Sequence, residues 1–218
     1  ALSFLPLCHV FERMGGHYLL LHKGVTIAYA ESVEKVPENM LEVRPSLMLS
    51  VPRLYEKIYV RVREKVAADP PLRQRIFNWA LGVGRERFRH QVERTSHGLG
   101  LRLRAAVAEA LVFKKIKART GGQLRLFVSG GAPLSREIAE FFGAVGLTIL
   151  EGYGLSETSP VASFSPHGQE VRVGSIGIPI HGVEMKLLKP ETWDEVDEGP
   201  EQVGEIAIKG HNIMKGYY

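Results

Sequence analysis

A chain of 218 residues with 44% hydrophobic content can bury one sizeable core or two small ones, and it has no run of about 18 apolar residues to span a membrane. A single cysteine, Cys8, excludes an internal disulfide and fits a reducing compartment, and eight scattered histidines offer no metal-ligand cluster. The net charge of +4 hides an uneven distribution, because residues 53–119 hold 17 Lys and Arg against 6 Asp and Glu, a net of +11, while the remainder carries −7.

In chain order, residues 3–12 read as an apolar strand-to-loop stretch, followed by a helical segment in "MGGHYLLL". Residues 24–30 are β-branched and predict a short strand. Residues 37–43 place Pro at a helix start, and 45–52 form a buried-type strand between prolines. From 53 to 118 the texture is helical. Leu54, Ile58, Val62 and Val66 recur every four residues, "DPPL" (69–72) breaks the pattern, and a second helix follows. After "TSHGLG" (95–100), a third helix turns Leu103, Val107, Leu111 and Ile116 to one face, taken to be the core. Arg and Lys fill the other faces, as a solvated surface or as one turned to anionic lipid or phosphates. The block lacks the aromatic interleaving of single-strand binders, so no nucleic-acid partner is expected.

Strand character returns at 124–128, where Leu124, Leu126 and Val128 alternate with Arg125 and Phe127. Ser135 can cap the next helix, and Gly146 ends it. The strand "LTILE" (147–151) follows. Both strands end in glycine-bearing loops, "SGGAP" and "EGYGLSET", which places them as two walls of one pocket at the carboxyl ends of a parallel sheet. In the second loop Tyr153 offers a flat face to a purine, Ser156 a hydroxyl to a phosphate, and Glu157 a hard oxygen to Mg²⁺. Each of these has a plainer reading, since Gly-Tyr-Gly is most often a turn. Cys8 and His9, adjacent on a strand, would point to opposite faces and so form no nucleophile–base pair. A satisfied buried histidine is the default for His9. The fold class is therefore α/β: a mainly parallel sheet flanked by helices across residues 1–165, a helical elaboration at 53–118, and a β-rich part over 166–218.

Four segments, in order, resemble the AMP-forming acyl-CoA synthetases of the adenylate-forming superfamily: "LPLCHVFE", "FVSGGAPLS", "EGYGLSETSP" and "GEIAIKGHNIMKGYY". "VPRLYEKIYVRVREK" is similar to long-chain members. The resemblance implies a portion of the large N-terminal domain of such an enzyme, which activates a long-chain fatty acid with ATP to acyl-AMP and transfers the acyl group to coenzyme A. By motif match, Gly131, Ala132 and Pro133 flank adenine, Glu151 and Gly152 approach its exocyclic amine, and Tyr153 stacks on it beside Gly154. Ser156 touches the α-phosphate, Glu157 holds Mg²⁺, His9 stands near the acyl carboxylate as a gate, and Gly130 leaves room for the acyl chain. Ser156 stands where the family usually has Thr, keeping the hydroxyl without the methyl. The family's phosphate loop, ribose-binding Asp segment and small C-terminal domain are not in this sequence, so the chain reads as an internal fragment, inactive alone. Rival readings are a fatty acyl-AMP ligase serving a carrier protein and a non-catalytic nucleotide-binding module. A cytoplasmic location is expected, with weak peripheral contact to the inner face of a membrane through residues 53–119; a homo-oligomer is left open.

Overall fold

A computed structural model describes residues 1–165, 172–197, 199 and 202–218. The chain opens with β1 (Leu2–Ser3), a π-helical segment (Glu12–Tyr18) and α1 (Leu19–His22). β2 (Ala28–Tyr29) pairs with β1 in parallel and is far shorter than the strand expected over 24–30. Next come α2 (Val36–Val43), with Pro37 in its first turn, and β3 (Leu47–Ser50). The basic block is helical apart from connections at 68–70 and 93–98: α3 (Pro52–Ala67), α4 (Pro71–Val92), α5 (Leu99–Ala108), a π-helical turn (Glu109–Phe113) and α6 (Lys114–Ala118). The rest comprises β4 (Leu126–Ser129), α7 (Arg136–Val145), β5 (Thr148–Gly154), a 3₁₀ turn (Ser156–Thr158), β6 (Val161–Phe164), β7 (Ile178–Pro179), β8 (Val183–Leu188) and β9 (Glu205–Gly210).

The architecture is α/β, with a parallel-containing sheet flanked by helices. The central sheet runs β3-β4-β5-β6-β7. Its β3, β4 and β5 are parallel, with Ser50 opposite Ser129 and Ser129 opposite Glu151. β6 and β7 extend it antiparallel, an extension that the sequence pattern did not announce. β5 also runs three residues beyond the expected end at 151, so Gly152, Tyr153 and Gly154 belong to the strand, with a register shift between Tyr153 and Gly154. β8 and β9 form a separate antiparallel pair.

The core lies between this sheet and the helices α3, α4 and α7. Phe127 of β4, Tyr55 of α3 and Phe142 of α7 meet edge to face, with ring centroids 5.1–6.0 Å apart. The Tyr55 hydroxyl, fully buried, donates to the Val128 carbonyl at 3.1 Å, and burial keeps that phenol protonated. Tyr59 ties α3 to α7 by donating to Glu137 at 2.6 Å. β4 is thus clamped from below through Phe127, while its alternate residues Leu126 and Val128 face the opposite side. The apolar set read at 124, 126 and 128 therefore splits: Leu124 joins the core, and the other two line a cavity.

Two local expectations are corrected and one holds. In α3, Leu54, Ile58, Val62 and Val66 do pack against the core. In α5 and the turn after it, however, Leu103, Val107 and Leu111 are exposed, and Leu101, Ala105, Ala108 and Phe113 are buried instead. Of the expected set only Ile116 packs against the core; α5 turns Leu101 and small alanines inward, and the alanines mark its close approach to α4. Ser135 occupies the N-cap of α7 but its hydroxyl makes no capping bond; Gly146, at φ +83°, ends that helix as expected.

Candidate active site

A cavity of about 560 Å³ opens at the carboxyl ends of β4 and β5, within the range of small-molecule sites. Parallel register carries Gly130 and Gly131, just beyond β4, alongside Gly152, Tyr153 and Gly154 at the end of β5. Ser156 and His9 complete the polar part of the lining. Seven of the expected site residues, from three separated segments, therefore share one cavity.

His9 lies on a turn, not on a strand, so the alternation argument for separating it from Cys8 does not apply. It is exposed, not buried, and its Nδ1 accepts the Phe11 backbone N–H at 3.2 Å. That bond leaves Nε2 as the ring nitrogen free to carry a proton. Cys8 is exposed as well and does not line the cavity. The Phe11 ring packs over Gly130, where an added Cβ would meet ring carbons at 3.1–3.4 Å. The room at Gly130 is thus filled by an aromatic ring.

Four expected residues stand outside the lining. Ala132 and Pro133 are exposed on the loop after β4. Glu151 lines a different, small cavity beside Phe88 and Arg172. Its backbone carbonyl accepts from Ser165 N–H at 2.9 Å. Its carboxyl is held above the usual carboxylate range by burial, against bonds from the Gly174 and Leu134 amides. Glu157 follows Ser156 on the 3₁₀ turn, and the bond from its own backbone N–H and that from the Tyr217 hydroxyl hold its carboxyl below the usual range. Among the described residues no group of three or more His, Cys, Asp and Glu side chains could hold a metal. A single anionic carboxylate such as Glu157 suits Mg²⁺ only where phosphates and water supply the other ligands.

The turn that carries Ser156 and Glu157 is tightly knit. Thr158, buried, accepts the Leu155 N–H at 2.8 Å and reaches the carbonyls of Leu155 and Pro160 at 3.1 and 2.5 Å. The Ser159–Pro160 peptide is cis. From the far end of the chain, Asn212 donates to the carbonyls of Thr158 and Val161, and Met214 N–H donates to the Glu157 carbonyl. The fourth motif therefore buttresses the third, a contact that sequence order alone could not supply.

The remaining walls were not singled out in the sequence. Leu19, Leu20, Leu47, Leu49, Leu126, Val128, Phe164 and Ile180 make most of the lining apolar. The only signals for them are the buried-type strand character of residues 45–52 and the apolar alternation of 124–128, neither of which points to a cavity.

The sequence profile of the family described as AMP-binding enzyme matches residues 1–218. Long chain acyl-CoA synthetase 1 of Arabidopsis thaliana is 33% identical over 221 residues, covering 100% of this chain and 32% of that protein. A long-chain-fatty-acid–CoA ligase of Mycobacterium bovis is 33% identical over 217 residues, covering 100% of this chain and 33% of its own length. The chain spans about a third of the length of the curated relatives it matches. Among solved structures, ATP-bound MatB from Rhodopseudomonas palustris superposes with a TM-score of 0.66 at 22% identity, over 99% of this chain and 32% of that one. A long-chain-fatty-acid-CoA ligase from Archaeoglobus fulgidus gives 0.64 at 17% identity, over 100% and 35%. The fold is shared with these structures, and the chain belongs to the AMP-binding enzyme family.

Proposed function

We propose that the full-length protein is an AMP-forming ligase that activates a long-chain fatty acid with ATP and passes the acyl group to coenzyme A. The observation that carries this reading is one cavity with two kinds of lining: glycine-bearing strand ends with a hydroxyl, and leucine and valine side chains. A phosphorylated ligand suits the first and a fatty chain the second. The names of the curated relatives support the same substrate class.

In this reading Tyr153 stacks on adenine, and the loop Gly131, Ala132 and Pro133 closes over the base from the β4 side, with Glu151 and Gly152 next to it on β5. Ser156 donates to the α-phosphate, and Glu157 is the protein's ligand to Mg²⁺, which supplies neutralisation of phosphate charge when bound. His9 holds the fatty acid carboxylate near the α-phosphate through Nε2–H. A carboxylate oxygen attacks that phosphorus, and pyrophosphate leaves with the electrons of the broken P–O bond. The thiolate of coenzyme A then attacks the acyl carbonyl, and AMP leaves. The protein's contribution at both steps is positioning and exclusion of water.

We further propose weak peripheral contact with anionic membrane through residues 53–119. No helix among the described residues is long and apolar enough to cross a membrane, so the contact would be with the surface.

ATP–pyrophosphate exchange with carboxylic acids of increasing length tests the main reading. Exchange that needs a long-chain acid, followed by acyl-CoA formation when coenzyme A is added, is the expected result. Exchange without acyl-CoA would favour a fatty acyl-AMP ligase, and no exchange with any acid would leave a binding module.

A further inference from the structure

The carboxylate of Glu157 is not left to find its own rotamer. The Tyr217 hydroxyl donates to its Oε1 at 2.8 Å, across 60 residues of sequence. The segment bringing Tyr217 there is anchored at two further points on the same turn: Met214 N–H to the Glu157 carbonyl at 2.9 Å, and Asn212 Nδ2 to the carbonyls of Thr158 and Val161 at 2.9 and 2.8 Å. Asn212 also presses on Gly210 at the end of β9, where an added Cβ would lie 2.7 Å from its Oδ1. The strap is therefore fixed between β9 and the turn before it reaches the carboxylate.

We propose that Tyr217 is a positioning residue for the metal ligand Glu157: its hydroxyl fixes the carboxylate orientation from which Mg²⁺ is bound. The inference rests on the reading of Glu157 as that ligand. A partly exposed glutamate samples several rotamers, and ordering it is a cost that cation binding otherwise bears. A hydroxyl donated to one oxygen removes part of that cost in advance. A carboxylate offers about four acceptor positions. Tyr217 takes up one of them, so a cation can be added without displacing the tyrosine. The tyrosine ring itself is mostly exposed, so its role does not lie in core packing.

Mn²⁺ titrated into the full-length protein with ATP, followed by the loss of the free-ion electron paramagnetic resonance signal, reads the site without turnover. Tyr217→Phe is expected to weaken Mn²⁺ binding by roughly three- to tenfold, the net worth of one ordinary hydrogen bond. The half-saturating Mg²⁺ in pyrophosphate exchange should rise by the same factor, with fatty acid KM and thermal midpoint unchanged. Glu157→Gln is the reference arm. If it weakens Mn²⁺ binding and Tyr217→Phe does not, or if Tyr217→Phe tightens it, the positioning role is overturned while the metal reading stands. If Glu157→Gln itself has no effect, the metal reading falls and this inference with it. A Tyr217→Phe loss that comes with a lowered midpoint or a changed fatty acid KM would show a merely structural contact and also overturn the proposal.

Discussion

The carbonyl of Pro160 stands against the α-carbon of Gly154, in the space where any side chain at that position would begin. The second glycine of Gly-Tyr-Gly thus has a packing reason: β5 must pass close to the chain returning from the 3₁₀ turn, and backbone cannot give way as a flexible side chain can. Gly154→Ala should destabilise the fold by about 2–4 kcal/mol, the scale of a steric conflict with backbone. Denaturant unfolding without ligand is the check. A wild-type midpoint with lost activity would mean that the glycine serves a ligand instead.

Glu157→Ala should abolish adenylation with the fold intact, because no second acidic side chain shares its turn. Pyrophosphate exchange should fall below about a tenth of wild type at saturating Mg²⁺, a loss of more than about 1.4 kcal/mol in the barrier. Retention above that level would remove the metal role from this residue.

The two glycine loops were legible as a pair because each follows a short β-branched or apolar strand, and a parallel sheet brings such ends together. What the sequence concealed has three physical causes. β5 continues through Gly152–Gly154 because it finds an antiparallel partner in β6, and pairing partners leave no mark on the strand that gains them. The facing of α5 is hidden because its buried side holds two alanines and one leucine, Leu101, while its exposed side carries Leu99 and Leu103. The exposed His9 was given a buried default because a turn and a strand of the same apolar composition look alike until Pro6 is seen to accept the His9 N–H at 2.9 Å.

Glu12 gives a prediction in pH. It is 1% exposed at the start of the first π-helical segment; the Ser3 hydroxyl bonds its Oε1, and among the described residues its Oε2 has no partner. Burial pushes its carboxyl above the ordinary 4.5, against the Ser3 bond. The folded chain therefore holds this proton more tightly than the unfolded one. The group's contribution to stability is fully favourable below 4.5, falls as pH rises through the raised folded value, and stays unfavourable above it. Glu12→Gln should accordingly be the more stable protein at pH 8, with the difference closing towards pH 4.5. Denaturation at the two pH values decides it: a glutamine variant less stable at pH 8 would mean a charged and partnered carboxylate.

Val128 sits on the cavity side of a strand whose other side is locked by Phe127 and Tyr55. Val128→Phe cannot be relieved by rotating β4, so the added volume enters the cavity. Exchange driven by long acids should drop about tenfold or more while that driven by short acids is retained, since each methylene in such a pocket is worth about 1–3 kcal/mol. An equal loss for all lengths would place the acyl chain elsewhere.

The basic block now carries a sharper prediction than its charge alone allows. Leu99 and Leu103 are 74% and 70% exposed, and Val107 and Leu111 continue the same stripe along α5 and the turn after it. Arg102, Arg104, Lys114 and Lys115 flank this stripe. Four of the block's six acidic residues are already occupied locally, in Arg53–Glu56, Arg73–Asp69, Arg104–Glu86 and Lys117–Glu109 pairs, so most of its cations face solvent uncompensated. Exposed leucines beside lysines and arginines are the pattern of a helix that rests in a lipid interface. Each Lys or Arg near an anionic surface contributes about 1 kcal/mol, which salt screens, while apolar insertion is insensitive to salt. Co-sedimentation with anionic vesicles at low salt should therefore exceed that with neutral vesicles and fade as ionic strength rises. Leu99→Ser combined with Leu103→Ser should lower the part that survives high salt. Equal binding to both vesicle types, or none to either, would leave residues 53–119 as a solvated face and turn the leucine stripe over to a protein contact.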